Sequence, residues 1–364
     1  MDRCRLMSPS VFKVLSIDGG GIKGVYTAAM LRELEHALAR IEGHSRLGEY
    51  FDLICGTSTG ALIALGLAAG RTCDEIAETY LVKGPQIFKD QNRLYQAVLT
   101  VRQFLLSSRY DNQALRAAVE DLLGDRKFSE SQNYLLIPVT NLGNYTPRVF
   151  KTRHSKDYYD GNARMADIAL ASAAAPTFFP ILPAPDIKNG LYADGGMVAN
   201  NPTLLGVFEA FRVFVGPASK RNEFAELAVL SLGNYGSPQG FRKGWFSHSV
   251  KLDRSIWGWA MPQANNLPLL NVLMDGQTAL AERAVTIFKE FTPAFRHYCR
   301  IDAKTCKSHS TPDSELLSFN LADARPHQLK SLEGYGMQDG QSAATDPVIR
   351  AFFETVRKKI TLHN

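Results

Sequence analysis

The chain reads as an α/β protein on a largely parallel sheet, and two strand–turn–helix units near its start carry that reading. In the first, Val14-Leu15-Ser16-Ile17 is a β-prone run and Asp18-Gly19-Gly20-Gly21-Ile22-Lys23-Gly24 turns the chain. An amphipathic helix follows, with Leu31, Leu34, Leu38 and Ile41 at i, i+3, i+7 and i+10 and Gly43 as its stop. In the second, the apolar run Phe51-Asp52-Leu53-Ile54-Cys55 leads through Gly56-Thr57-Ser58-Thr59-Gly60 into Ala61-Leu62-Ile63-Ala64-Leu65. Both loops end strands and open helices, so both are expected at the carboxyl edge of one sheet, where α/β folds place their sites.

The remaining elements extend the alternation. Gln113 to Leu123 is predicted helical, capped by Asp111 or Asn112 and followed by Gly124. Tyr134 to Thr140 and Leu227 to Leu232 read as buried strands. Gly190-Leu191-Tyr192-Ala193 is a short strand ending in Asp194-Gly195-Gly196, and Asn200-Asn201-Pro202 reads as a helix start with Asn201 as cap and Pro202 first in the helix.

Gly56 to Gly60 is a G-x-S-x-G nucleophile elbow in strand–turn–helix context, with Ser58 at its apex. The glycines flank a turn too tight for a Cβ. A serine that merely caps the helix is the alternative. The Gly19–Gly21 loop presents unpaired N–H groups to an anion. Gly19, Gly21 and Gly24 also satisfy G-x-G-x-x-G, so a dinucleotide pyrophosphate competes with the oxyanion of an acyl-transfer intermediate. A P-loop is excluded, because no Gly-Lys-Ser/Thr closes the loop. An oxyanion loop requires a nucleophile beside it and a pyrophosphate loop does not, so the elbow favours the oxyanion. Asp194 stands at a strand end where Gly195 and Gly196 let the chain turn at once; taken alone, Asp-Gly-Gly is a turn.

These motifs, with Ala171-Ser172-Ala173-Ala174-Ala175-Pro176 ahead of Phe178-Phe179-Pro180, resemble the patatin-like phospholipase family. The resemblance spans roughly residues 12–215 as a catalytic region, with 216–364 as a C-terminal extension that completes the fold and offers regulatory or oligomerisation surfaces. It implies a three-layer α/β/α fold and a Ser–Asp dyad. Ser58 would be the nucleophile, Asp194 the general base and the Gly19, Gly20 and Gly21 amides the oxyanion hole. Lys23, Gly24, Gly56, Gly60, Gly195 and Gly196 would support the motifs. Lys23 would either steady the loop, meet an anionic head group or be a solvated helix-start lysine. The chemistry needs no metal and no cofactor, and no metal-ligand spacing appears.

A dyad base needs burial, because an aspartate near its ordinary pKa of ~3.9 accepts a hydroxyl proton poorly. The rival is a Ser–Asp–His triad of the α/β-hydrolase order. His248, His297, His309, His327 and His363 all follow Asp194, but none sits in a glycine-punctuated strand-end loop, and only two strand-like runs precede Ser58.

The chain has 364 residues, 45% of them hydrophobic, with no repeat or low-complexity linker, which fits one elaborated domain. The start, Met1-Asp2-Arg3-Cys4-Arg5, has no apolar signal core, and no run of ~18 apolar residues occurs. The five cysteines (Cys4, Cys55, Cys73, Cys299 and Cys306) form no C-x-x-C, which suits free thiols in a cytoplasm. A net charge of +5 favours anionic surfaces. Trp245, Trp257 and Trp259 share residues 240–261 with Arg242, Lys243, Lys251 and Arg254, which suits a bilayer interface, a nucleotide pocket or ordinary core anchors.

More narrowly, length and architecture resemble the bacterial patatin-like effectors of CBASS antiphage defence. That resemblance implies activation by a cyclic dinucleotide of the 3′3′-cGAMP type, made by a partner synthase. It also implies hydrolysis of membrane phospholipids, peripheral membrane association when active and a homo-oligomer on activation, with no nucleic-acid polymer as partner. The ligand contacts are not assigned. A constitutive acyl hydrolase, or a nucleotide-binding module with a coincidental G-x-S-x-G, are the alternatives.

Overall fold

The structure, a computed structural model, describes residues 11–42, 46–88, 108, 110, 112–154, 160–184, 190–235, 268–302 and 321–354. The tryptophan segment, Cys4, Cys306, His248, His309 and His363 lie outside the described residues. β1 (Val11–Ile17) is central, with β2 (Leu53–Gly56) parallel on one side and β7 (Glu226–Leu232) parallel on the other. β3 (Tyr134–Asn141) continues the parallel sheet beside β2, and β8 (Phe295–Ile301) beside β7. β4 (Thr146–Lys151), β5 (Leu182–Ala184) and β6 (Gly190–Ala193) add an antiparallel margin at the β3 end.

The central strands are apolar at nearly every position because both faces are covered. Leu15 and Ile17 of β1, Ile54 of β2, Leu135 and Ile137 of β3 and Leu230 of β7 point into one core. Phe12 and Val14, Leu53 and Cys55, Leu136 and Val229 point into the other. The first face carries α1 (Gly24–Glu42), α2 (Thr59–Ala68), α3 (Cys73–Glu78), a short α4 (Gly84–Ile87), α5 (Gln113–Leu123), α6 (Met165–Ser172) and α10 (Pro326–Thr345). The second carries α8 (Thr203–Val213) and α9 (Pro268–Phe291), with the short α7 (Gly196–Ala199) leading into α8. α11 (Pro347–Arg350) runs into a final 3-10 turn, Ala351–Phe353. The result is the expected three-layer α/β/α architecture. α2 is buried along its whole length, which is why Thr59 to Ala68 has no polar face.

Two local expectations shift. α8 begins at Thr203 with Pro202 as its N-cap residue, one position later than the sequence reading. Asn201 still caps from one step further back, its Oδ1 accepting the Thr203 N–H at 3.0 Å. Lys23 is buried, so the solvated-lysine alternative does not hold.

β6 runs antiparallel to β3, and this places the site. Leu136 pairs with Cys55 on one edge of β3 and with Lys151 on the other, while Thr140 pairs with Pro147 and Ala193. β2 and β6 therefore share one edge of β3. β2 stops at Gly56, and β6 arrives from the opposite direction to end at Ala193. The two carboxyl ends meet head to head.

Candidate active site

Ser58 and Asp194 are the residues that this meeting brings together. Ser58 Oγ donates to Asp194 Oδ2 at 2.7 Å, and both side chains are buried. Ser58 has φ 53 and ψ −120, a conformation that L-residues avoid and that lifts the side chain off the turn. Its N–H donates to Ser172 Oγ at 3.0 Å, which in turn donates to the Pro138 carbonyl at 2.9 Å. The elbow is thereby pinned to β3 through the end of α6. Two flanking glycines are needed for contact: a Cβ at Gly56 would lie 2.2 Å from the Gly60 carbonyl oxygen, and one at Gly60 would lie 2.4 Å from that of Ile17.

Asp194 is fixed by its own turn. Its N–H donates to the Ala174 carbonyl and that of Gly195 to the Ser172 carbonyl, at 2.9 and 3.1 Å. Thr140 Oγ1 donates to the Asp194 carbonyl at 2.8 Å. Oδ1 accepts the Gly196 N–H at 2.6 Å, leaving Oδ2 for Ser58. Burial pushes the carboxyl up to about 6, partly offset by the bonds from Ser58 and Gly196. The Ala171–Pro180 motif thus supplies Ser172 and Ala174 as supports, while Phe178 and Phe179 face the site.

The glycine loop lies against the elbow, with Ser58 Cβ 3.3 Å from where a Gly19 Cβ would stand. Its three amides are not equivalent. Gly19 N–H is donated to the Asn200 carbonyl at 2.9 Å. Gly20 and Gly21 N–H make no hydrogen bond to the described residues. Gly21 has φ 58, which favours glycine. Gly24 lets α1 approach Thr59, whose Oγ1 would lie 2.3 Å from a Cβ there.

The loop is anchored by residues that no local motif announces. Arg300, from the end of β8, reaches Asp18 Oδ2 at 2.7 Å, Asp302 Oδ2 at 3.0 Å and Ser231 Oγ at 2.8 Å. Burial pushes Asp18 up to about 6 while Arg300 draws it down, and the same contact holds Arg300 above its ordinary value. At neutral pH the two form a buried ion pair. Asn234 Nδ2 donates to the Gly19 carbonyl.

An apolar cavity opens beside Ser58 and Asp194. Leu62, Ile87, Leu115, Val119, Phe179 and Met274 are among its walls. Tyr80 lies in a π-helical turn, Thr79–Lys83, and its OH donates to the Thr59 carbonyl at 2.6 Å. His297 and His327 are neither among the cavity's lining residues nor bonded to Asp194 or Ser58. Among the described residues no His/Cys/Asp/Glu cluster could hold a metal, and no helix is long and apolar enough to cross a membrane.

A strained serine at a strand–helix turn, bonded to a buried carboxylate at the carboxyl end of a mostly parallel sheet, defines an α/β protein with a nucleophile elbow. A family model described as patatin-like phospholipase matches residues 15–206, and the chain belongs to that family. It is 38% identical over 204 residues to a "cGAMP-activated phospholipase" of Escherichia coli (strain TW11681), covering 55% of this chain and 56% of that one. A protein of the same name from Vibrio cholerae serotype O1 is 34% identical over 229 residues, covering 61% and 64%. A third, from Pseudomonas aeruginosa (strain BWHPSA011 / Pa011), is 32% identical over 342 residues, covering 94% and 91%. The matched region thus spans less than two thirds of the first two relatives and nearly all of the third.

Proposed function

We propose that this chain is a phospholipase-type lipid acyl hydrolase, with Ser58 as nucleophile, Asp194 as general base and the Gly20 and Gly21 amides as oxyanion donors. The observation that carries this reading is the 2.7 Å contact between Ser58 Oγ and Asp194 Oδ2 at the wall of an apolar cavity. Gly19 belongs to the same loop, but its N–H is engaged by Asn200, so it steadies the loop rather than the oxyanion. A nucleotide-binding module would give the Ser58–Asp194 contact no task.

In this mechanism the acyl chain of a membrane phospholipid lies in the cavity. Ser58 Oγ attacks the ester carbonyl carbon while its proton passes to Asp194 Oδ2, and the carbonyl π pair moves onto the oxygen held by the amides. The tetrahedral intermediate collapses, the ester C–O bond breaks and the leaving alkoxide takes the proton from Asp194, departing as lysolipid. Water then loses a proton to Asp194 and attacks the acyl-serine. Ser58 Oγ leaves with that proton, and the fatty acid is released. A base held at about 6 is deprotonated at neutral pH yet more basic than an ordinary aspartate.

The relatives' name supports a cyclic dinucleotide of the cGAMP type as activator; a partner synthase is the proposed source of that nucleotide. The region after residue 215 is the proposed seat of activator and assembly surfaces, and the protein acts from the cytoplasm at the membrane surface. The test is fatty-acid release from phospholipid vesicles, with and without a panel of cyclic dinucleotides, against a Ser58→Ala blank. Release only with one nucleotide supports both chemistry and switch. Release without any nucleotide keeps the hydrolase and removes the switch; none with any nucleotide, from a chain whose Ser58 is unreactive to fluorophosphonate, removes both.

A further inference from the structure

One short turn, Gly196 to Asn200, joins every loop of the candidate site. Gly196 N–H holds Asp194 Oδ1. The Ala199 carbonyl accepts Thr57 Oγ1 of the elbow at 2.7 Å, and the Asn200 carbonyl accepts the Gly19 N–H of the glycine loop. A helix of four residues has no stability of its own, so this turn keeps its place only through its neighbours.

α9 grips it from the far side. Gln277 Nε2 donates to the Met197 carbonyl at 2.5 Å, and Asn200 Nδ2 donates to Thr278 Oγ1 at 3.0 Å. Met274 Cε lies 3.1 Å from where a Gly196 Cβ would stand. Asn200 is buried and its Oδ1 makes no hydrogen bond, so among the described residues the Thr278 hydroxyl alone fixes that side-chain amide. α9 begins well beyond the residues matched by the family model.

We infer that α9 is a latch on the catalytic turn, with Gln277 and Thr278 as positioning residues that set the mutual geometry of Ser58, Asp194 and the glycine loop. The inference rests on the roles proposed for those three. It gives the C-terminal part of the chain a direct mechanical line to catalysis: any event that shifts α9 shifts three loops through one turn.

Thr278→Val keeps the shape of the side chain and removes its acceptor, Gln277→Met removes a donor, and Thr278→Ser restores the hydroxyl. The full chain and these variants are assayed for fluorophosphonate labelling of Ser58 and for hydrolysis of a soluble p-nitrophenyl ester, each with and without the cyclic dinucleotide panel. Displacements of an ångström in a site cost about a hundredfold in rate, so kcat and labelling rate should fall about tenfold or more in Thr278→Val and Gln277→Met. KM should stay within about twofold, because the cavity walls are otherwise unchanged. Thr278→Ser should recover most of the rate, while Thr278→Val and Gln277→Met lower the thermal midpoint by only a few degrees, as one polar contact removed would. Wild-type rates in both variants would remove the latch and leave Ser58 as nucleophile. A loss that disappears when the assay is run well below the variant's thermal midpoint, or that Thr278→Ser fails to recover, would also overturn it. An unlabelled wild-type chain under every condition would sink the nucleophile and this inference together.

Discussion

Asp194 is held in a state that suits chemistry at the expense of folding. Its folded pKa of about 6 exceeds the ordinary 3.8, so between those values the folded protein binds a proton that the unfolded chain does not. The Asp194 contribution to stability should therefore rise as pH falls from 6 toward 4, read as the difference between the wild-type and Asp194→Asn profiles, while hydrolysis falls over the same window as the base becomes protonated. Asp194→Asn should abolish fatty-acid release and, at neutral pH, stabilise the fold by about 3 kcal/mol, measured by denaturant titration. Ser172→Ala should cost about 1–3 kcal/mol by leaving the buried Ser58 N–H and Pro138 carbonyl unpaired, and should slow turnover. Arg300→Met strands Asp18 as an unpaired buried charge and should cost about 3–5 kcal/mol at neutral pH. That penalty should shrink as pH falls toward 6 and level off below it, because without Arg300 to draw it down Asp18 takes up its proton at a higher pH. Ser58, Asp194 and the glycine loop were legible because each lies within a short motif with its own turn chemistry. Arg300, Asn234, Gln277 and Thr278 were not, because each acts across a long stretch of sequence and no local pattern marks it.

Among elements, α1 and α10 show how tightly the first layer is built. A Cβ at Gly336 would lie 2.3 Å from the Tyr26 carbonyl oxygen, and one at Gly340 would lie 2.6 Å from that of Met30. Tyr26 OH donates to the buried Asp339 at 2.5 Å within this contact. Gly336→Ala should force the helices apart and cost about 1–3 kcal/mol, read as a lowered urea midpoint with unchanged slope. The helices and parallel strands could be anticipated from periodicity and glycine punctuation, and Gln113–Leu123 falls where the sequence places it. The direction of β6 could not, since four residues of strand carry no mark of which way their neighbour runs. The one-residue offset at α8 has a similar origin: Asn201 can cap from two positions back when proline follows it.

At the scale of the molecule, the two ends of the described chain close on each other. Lys13 Nζ donates to the Phe352 carbonyl at 2.9 Å, and Phe352 and Phe353 pack on Phe51, with ring centroids 6.3 and 5.8 Å away. Phe352 is fully buried, so Phe352→Ala should cost about 3–5 kcal/mol by calorimetry although it lies far from Ser58. β7 and β8 belong to the same sheet as β1, which is why composition showed no boundary near residue 215.

β3 serves as a ruler for the dyad, since β2 and β6 are both indexed against its one edge. The covalent path from Ser58 to Asp194 is then irrelevant to their spacing. The turn between β3 and β4, where Tyr145 stands out in solvent, could be opened to give new chain ends and the old ones joined. A circular permutant cut there would keep the serine and the carboxylate in register, because what measures the gap between them is a neighbouring strand and not the length of the loops.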